Sequence, residues 1–144
     1  MSFSTDANIL LYAVNQDSEF HEKARQFVEE KASGTETWVV PWPVVHAFLR
    51  ISTHGGILPS PLSPLQAVAV VDQLLELPHV DLISETDQFW PHYKKEILGG
   101  HLRGGAITDA LIVALLKENG VSTIFTADRD FLKFRGIRAI NPLG

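Results

Sequence analysis

Short β-forming runs alternate with helix-length patterns along the whole of this chain, and that alternation limits its fold more than any other feature. Phe3 opens a short strand that runs into Asp6, and a helix begins around Ala7 to Asn8. In "NQDSEFHEKARQFVEEKASG", Phe20, Ala24, Phe27 and Val28 recur at helical spacing. Asp17 and Ser18 offer helix-start chemistry there, and Gly34 offers a stop. "TETWVVP" reads as a strand, and "WPVVHAFLRIST" as the next helix with Pro43 near its first turn. "HGGILPSPLSP" is a loop punctuated by Gly and Pro. Ser63, Pro64 and Gln66 form an N-cap, an N1 proline and a capping-box partner for "LQAVAVVDQLLEL", which ends before Pro78. "HVDLIS" is a strand, and "TDQFWPHYKKEIL" is a helix stopped by Gly99 and Gly100. "ITDALIVALLKENG" is a nearly all-apolar helix ended by Gly120, so it belongs in the interior. "VSTIFTA" and "IRAIN" supply the last two strands. Strands separated by helices favour a mainly parallel sheet, α/β in class and covered on both faces.

The chain has 144 residues, enough for one domain over 1–144 with a real core. Hydrophobic residues make up 45%, which argues against disorder. A net charge of −5 argues against a general nucleic-acid coat protein but allows an enzyme with a local basic patch. The absence of cysteine excludes a disulfide scaffold and thiolate metal sites. "MSFSTDANILLYAV" lacks a basic n-region and carries Asp6, a poor signal peptide. No apolar run approaches the roughly 18 residues of a membrane span. The expectation is a soluble, cytosolic domain without membrane contact.

Ligands of open parallel α/β sheets sit at the carboxyl ends of the strands. Asp6 ends the first strand, Asp128 follows the fourth, and Asp130 comes two residues later. Asp109 lies in the expected first turn of the apolar helix and joins the same rim if that helix packs beside the first strand. Convergent carboxylates raise each other's pKa values, so a cation stabilises them. Oxygen donors without sulfur suit a hard ion, Mg²⁺ or Mn²⁺, which serves phosphate chemistry. Each acid also has an ordinary reading. Asp6 can be an N-cap, Asp109 a first-turn acid facing the helix dipole, and Asp128 and Asp130 turn residues. The set is stronger than its members because one fold would gather all of them.

"STDANILLYA", "LRGGAITDALIVALLKENG" and "TIFTADRDFLKFRGI" resemble the PIN-domain ribonucleases, and most closely the VapC toxins of toxin–antitoxin pairs. The order and spacing of these motifs agree over nearly the whole chain. The resemblance implies a three-layer α/β/α sandwich and a Mg²⁺- or Mn²⁺-dependent endoribonuclease acting on structured RNA such as tRNA. It also implies a cognate VapB-like antitoxin and a homodimer. By the same resemblance Asp6, Asp109 and Asp128 are the metal-holding acids and Asp130 the adjacent, more variable one. Asn8, Thr126 and Arg50 match supporting positions.

One departure is visible. Many relatives carry a glutamate on the helix after the second strand, whereas "PWPVVHAFLRIST" has His46 and Ala47 there, with no acid between Val39 and Asp72. One metal is therefore expected in place of two. His46 is a candidate ligand or proton carrier, although a lone helix histidine is more often packed or solvated. Positive charge gathers in "YKKEILGGHLRGG" and "DRDFLKFRGIR". Lys94, Lys95, Arg103 and Arg129 are the RNA-contacting candidates, each equally readable as a solvated surface charge. Gly99, Gly100, Gly104 and Gly105 would let their loop move over a substrate. Trp38, Trp42 and Trp90 are candidates for base stacking, with core packing as the ordinary alternative.

The expected function is hydrolysis of RNA phosphodiester bonds through an Asp-held ion. The alternative is a weakened module that binds RNA or a protein partner without cutting. A phosphatase of the haloacid-dehalogenase type wants a D-x-D pair after the first strand, where this chain has Asp6-Ala7-Asn8. Dimerisation would use the amphipathic early helices and "LQAVAVVDQLLEL".

Overall fold

Parallel pairing is complete in the computed structural model, which describes residues 1–144. Five strands form one sheet in the order β3-β2-β1-β4-β5, and every neighbouring pair is parallel. The strands are β1 (Ser2–Thr5), β2 (Thr37–Pro41), β3 (Val80–Ile83), β4 (Thr123–Phe125) and β5 (Arg138–Ile140). The helices are α1 (Ala7–Val14), α2 (His21–Ser33), α3 (Trp42–Ser52), α4 (Pro64–Leu75), α5 (Phe89–Gly100) and α6 (Gly105–Glu118). A short 3₁₀ helix, Arg129–Lys133, joins β4 to β5. No helix is long and apolar enough to cross a membrane.

The chain builds outward from β1 to β3, then returns to the other side of β1 as β4. The order therefore reverses between β1 and β4, and the carboxyl ends of those two strands flank the crevice where α/β sheets hold ligands. Their register pairs Ser4 with Ile124 and Thr5 with Phe125, and the Asp6 amide donates to the Phe125 carbonyl at 2.9 Å. Asp6 and Thr126 are thereby set side by side at the rim.

The helix expected to be central is central. Ala110 and Ile112 through Leu116 of α6 are all buried, which an all-round apolar helix requires. Ile112, Val113, Leu115 and Leu116 each contribute about 1.5–3 kcal/mol by leaving water. Trp38 is fully buried and donates its indole N–H to Thr5 Oγ1 at 3.1 Å, so it is a core residue and cannot stack on a base. The Ser63–Gln66 capping box forms in both directions at the start of α4.

Four expectations need correcting. The second helix starts at His21, well after Asp17 and Ser18. Asn15 Oδ1 takes the Asp17 amide and Ser18 Oγ takes the Phe20 amide, so side chains turn the backbone before helix can begin. Gly99 and Gly100 lie inside α5, which ends at His101 in the left-handed region (φ 51°). Only residues 101–104 then separate α5 from α6, leaving a shorter loop than a covering flap would need. Finally, α6 begins at Gly105, so Asp109 stands in its second turn and is not a dipole-complementing first-turn acid.

Candidate active site

Each acid reaches the rim by a different local device. Asp6 is the N-cap of α1, and its Oδ1 accepts the Ala7 amide at 2.7 Å. The ordinary reading of Asp6 is thus realised, yet its second oxygen turns to the site. Oδ2 accepts from Thr126 Oγ1 at 3.1 Å and from Asn8 Nδ2 at 3.3 Å. Asp128 caps the 3₁₀ helix, with Oδ1 accepting the Asp130 amide at 2.9 Å. That bond is also the turn role expected for this pair, and it folds Asp130 back beside Asp128. Asp109 projects from α6, which packs against the 3₁₀ helix.

Carboxylate oxygens of Asp109, Asp128 and Asp130 all lie within 4.8 Å of one another. Their side chains accept no hydrogen bond from the protein apart from the single Asp128 cap. Burial first, then the charges of Asp128, Asp6 and Asp130, push the Asp109 carboxyl up from 3.8 to about 6, while Lys133 pulls it down. Burial also raises Asp6, against the lowering effect of the Ala7 amide and the Thr126 hydroxyl. Asp109 therefore feels the charge of all three other aspartates, although Asp6 stands outside the tight group.

The supporting polar residues make a network. Thr126 is buried, and its hydroxyl accepts the Asp128 amide at 2.9 Å while donating to Asp6. Asn8 Nδ2 also donates to Thr126 Oγ1, and Asn8 Oδ1 accepts the Ala127 amide at 3.3 Å. These bonds tie the end of β1 to the end of β4.

Other candidates are not gathered. Arg50 is exposed on the last turn of α3 and makes no side-chain hydrogen bond or ion pair in the structure. His46 is exposed and stands outside the carboxylate group. Lys94, Lys95, Arg103 and Arg129 are exposed and form no ion pair. Trp42 and Trp90 are about half exposed. Lys133, read from sequence only as part of a basic run, proves to be the cation that acts on Asp109.

The donor set fits a hard divalent cation. Opposite ligands of an octahedral Mg²⁺ are about 4.2 Å apart, twice the ~2.1 Å bond. Three mutually repelling carboxylates within 4.8 Å match that size and offer oxygen alone.

A parallel sheet with convergent aspartates at its switch point defines a class of α/β proteins with an acidic site at the sheet rim, and comparison with known proteins narrows it. Residues 5–137 match the PIN domain family. The chain is 39% identical to ribonuclease VapC48 of Mycobacterium tuberculosis over 142 residues, covering 99% of this chain and 98% of the relative. It is 31% identical to ribonuclease VapC37 of the same organism, over 95% of this chain and 94% of the relative. Among solved structures, VapC20 of M. tuberculosis, a Sarcin-Ricin loop cleaving toxin, superposes with a TM-score of 0.68 at 17% identity, over 94% of this chain and 98% of that one. VapBC2 of Rickettsia felis, bound to a DNA fragment from its promoter, gives 0.67 at 19% identity, over 98% of both chains. The chain belongs to the PIN-domain family. Within it, the protein is a ribonuclease of the VapC type, the toxin class of toxin–antitoxin systems.

Proposed function

We propose that this ribonuclease cuts RNA with a Mg²⁺ or Mn²⁺ ion held by Asp109, Asp128 and Asp130, with Asp6 beside them. The convergence of three carboxylates within 4.8 Å carries this reading. A bound ion of this kind lowers the pKa of water and offsets negative charge on the phosphodiester. The chain's own residues supply the geometry. Thr126 and Asn8 fix the Asp6 carboxylate and the Asp128 backbone, so the acids need not reorganise when substrate arrives. Asp6 adds a fourth negative charge, which strengthens the hold on a cation.

Attack by water at phosphorus breaks the bond to O3′ and leaves a 3′-hydroxyl and a 5′-phosphate. The ribose 2′-hydroxyl takes no part. End-group analysis of the cleaved RNA tests this directly: 3′-hydroxyl and 5′-phosphate ends are expected, and a 2′,3′-cyclic phosphate would refute the scheme.

The substrate is RNA, with tRNA as the first class to try. The regulatory partner is a VapB-like antitoxin, and solved VapBC complexes of relatives with this fold support that reading. An apolar cavity of about 280 Å³ among α1, α2, α3 and α4, lined by Leu10, Val45, Phe48 and Leu74, suits an apolar segment of such a partner. The working state is a homodimer, for which exposed Leu65 and Val68 on α4 offer apolar surface. Arg50 is assigned a supporting role only once RNA is bound.

A further inference from the structure

A polar cavity of about 500 Å³ opens between α5, α6 and the 3₁₀ helix. Lys95 reaches it from α5, Lys117 from α6, Lys133 from the end of the 3₁₀ helix, and Arg135 from just beyond. Glu96 is the one acid on its wall, and it is already ion-paired with Lys117. Lys95, Lys133 and Arg135 are exposed and make no ion pair. Four cations against one acid leave the wall with a formal excess of three positive charges, in a chain whose net charge is −5. Cations gathered in a concave site raise the local concentration of anions. Gly99 places no side chain in the opening, and a Cβ there would meet nothing.

No aspartate lines the cleft, and Lys133 is the wall residue that connects the two regions, because its charge also acts on Asp109. Lys133 lies five residues after Asp128, at the other end of the 3₁₀ helix that Asp128 caps. Lys117 follows Asp109 on α6 by eight residues, about 12 Å along the helix axis. A polyanion with one phosphate at the aspartates would have to run along the 3₁₀ helix past Lys133 to reach the cleft.

We propose that this cleft is a second phosphate-binding site, which holds the RNA backbone beside the bond to be cut. The proposal rests on the nuclease reading above and names how that nuclease grips its substrate. Point-like ammonium groups and one guanidinium contact phosphates, so the cleft adds affinity and register but reads no sequence.

Anisotropy of a fluorescently labelled single-stranded RNA, in chelator and across 50–200 mM salt, tests it on the wild type, on Lys95→Gln/Arg135→Gln, and on Lys95→Arg/Arg135→Lys. The glutamine variant is expected to bind about five- to tenfold more weakly, with its salt slope reduced by about 1.4, or ~0.7 for each phosphate left without its cation. The charge-conserving variant should restore both. Wild-type affinity and slope in the glutamine variant would overturn the proposal, as would RNA binding by the wild type that is absent or indifferent to salt. Cleavage is scored separately with Mg²⁺, where the glutamine variant should raise KM and keep kcat. A failed cleft leaves wild-type cleavage intact, and a failed nuclease reading leaves the binding result in chelator standing.

Discussion

The Thr126 hydroxyl donates to Asp6 Oδ2 at 3.1 Å, joining two residues 120 positions apart in the chain. The same oxygen accepts the Asp128 amide at 2.9 Å. One buried hydroxyl therefore sets the spacing between the acid that ends β1 and the acid that follows β4. The parallel β1–β4 pairing brings the residues together, and Thr126 converts that backbone register into a carboxylate geometry.

Thr126→Val keeps the shape and removes the hydroxyl. The Asp128 amide loses its acceptor and Asp6 Oδ2 keeps only its Asn8 donor, in a part-buried place, a cost of about 1–3 kcal/mol in stability. Cleavage should fall about 10–100-fold, the usual penalty for losing an orienting residue behind a metal ligand. Urea denaturation and initial rates check the two effects, and Thr126→Ser should recover most of each. Full activity in the valine variant would show that the network does not position the acids.

The metal-free protein should lose stability as pH rises from about 4 to 6. Asp109 sits near 6 when folded and close to the ordinary value when unfolded. Between those values the folded state binds more protons, so the slope of unfolding free energy with pH is negative. Asp6 is raised too and acts in the same direction. Asp109 is only partly buried, so solvent screening limits its share to about 1–2 kcal/mol. Thermal melts in chelator at several pH values should show the decline, and Asp109→Asn should flatten it. A wild-type curve that rises over this window would contradict the assignment.

Divalent ion should stabilise the protein at neutral pH. At free ion about 100 times Kd the gain is about 2.7 kcal/mol. Melting curves with Mn²⁺ should show Asp109→Asn and Asp130→Asn losing most of the upward shift. Asp6→Asn should keep more of it, because Asp6 spends its oxygens on Ala7, Asn8 and Thr126. A larger loss in Asp6→Asn than in Asp130→Asn would restore the ligand set of Asp6, Asp109 and Asp128 expected from sequence.

Trp38→Phe tests the core beneath the site. It shrinks a fully buried side chain and strands the Thr5 hydroxyl without its donor. A loss of about 2–4 kcal/mol is expected by denaturant titration, with the cleavage pattern unchanged.

Much of this was readable in the residues. Alternating strand and helix patterns led to the parallel sheet, and the apolar run of Ala110–Leu116 led to a buried α6. Strand ends marked the rim where Asp6 and Asp128 stand. The rest depended on interactions that no local pattern shows. Side chains of Asn15 and Ser18 delay α2, while packing of α5 against α6 carries α5 through two glycines that would otherwise end it. Asp130 joins the tight group because Asp128 bonds its amide, a fact of turn geometry. Nothing in the local sequence marks Lys117, because only the packing of α6 against its neighbours brings it to the cleft wall.

The most direct measurement is cleavage of purified RNA by the wild type and by Asp109→Asn, with Mg²⁺ or Mn²⁺ and with chelator. Discrete cuts by the wild type, abolished in the variant and abolished in chelator, are the predicted result. Equal cutting by both proteins, or cutting that persists in chelator, would contradict an aspartate-held metal as the seat of the reaction.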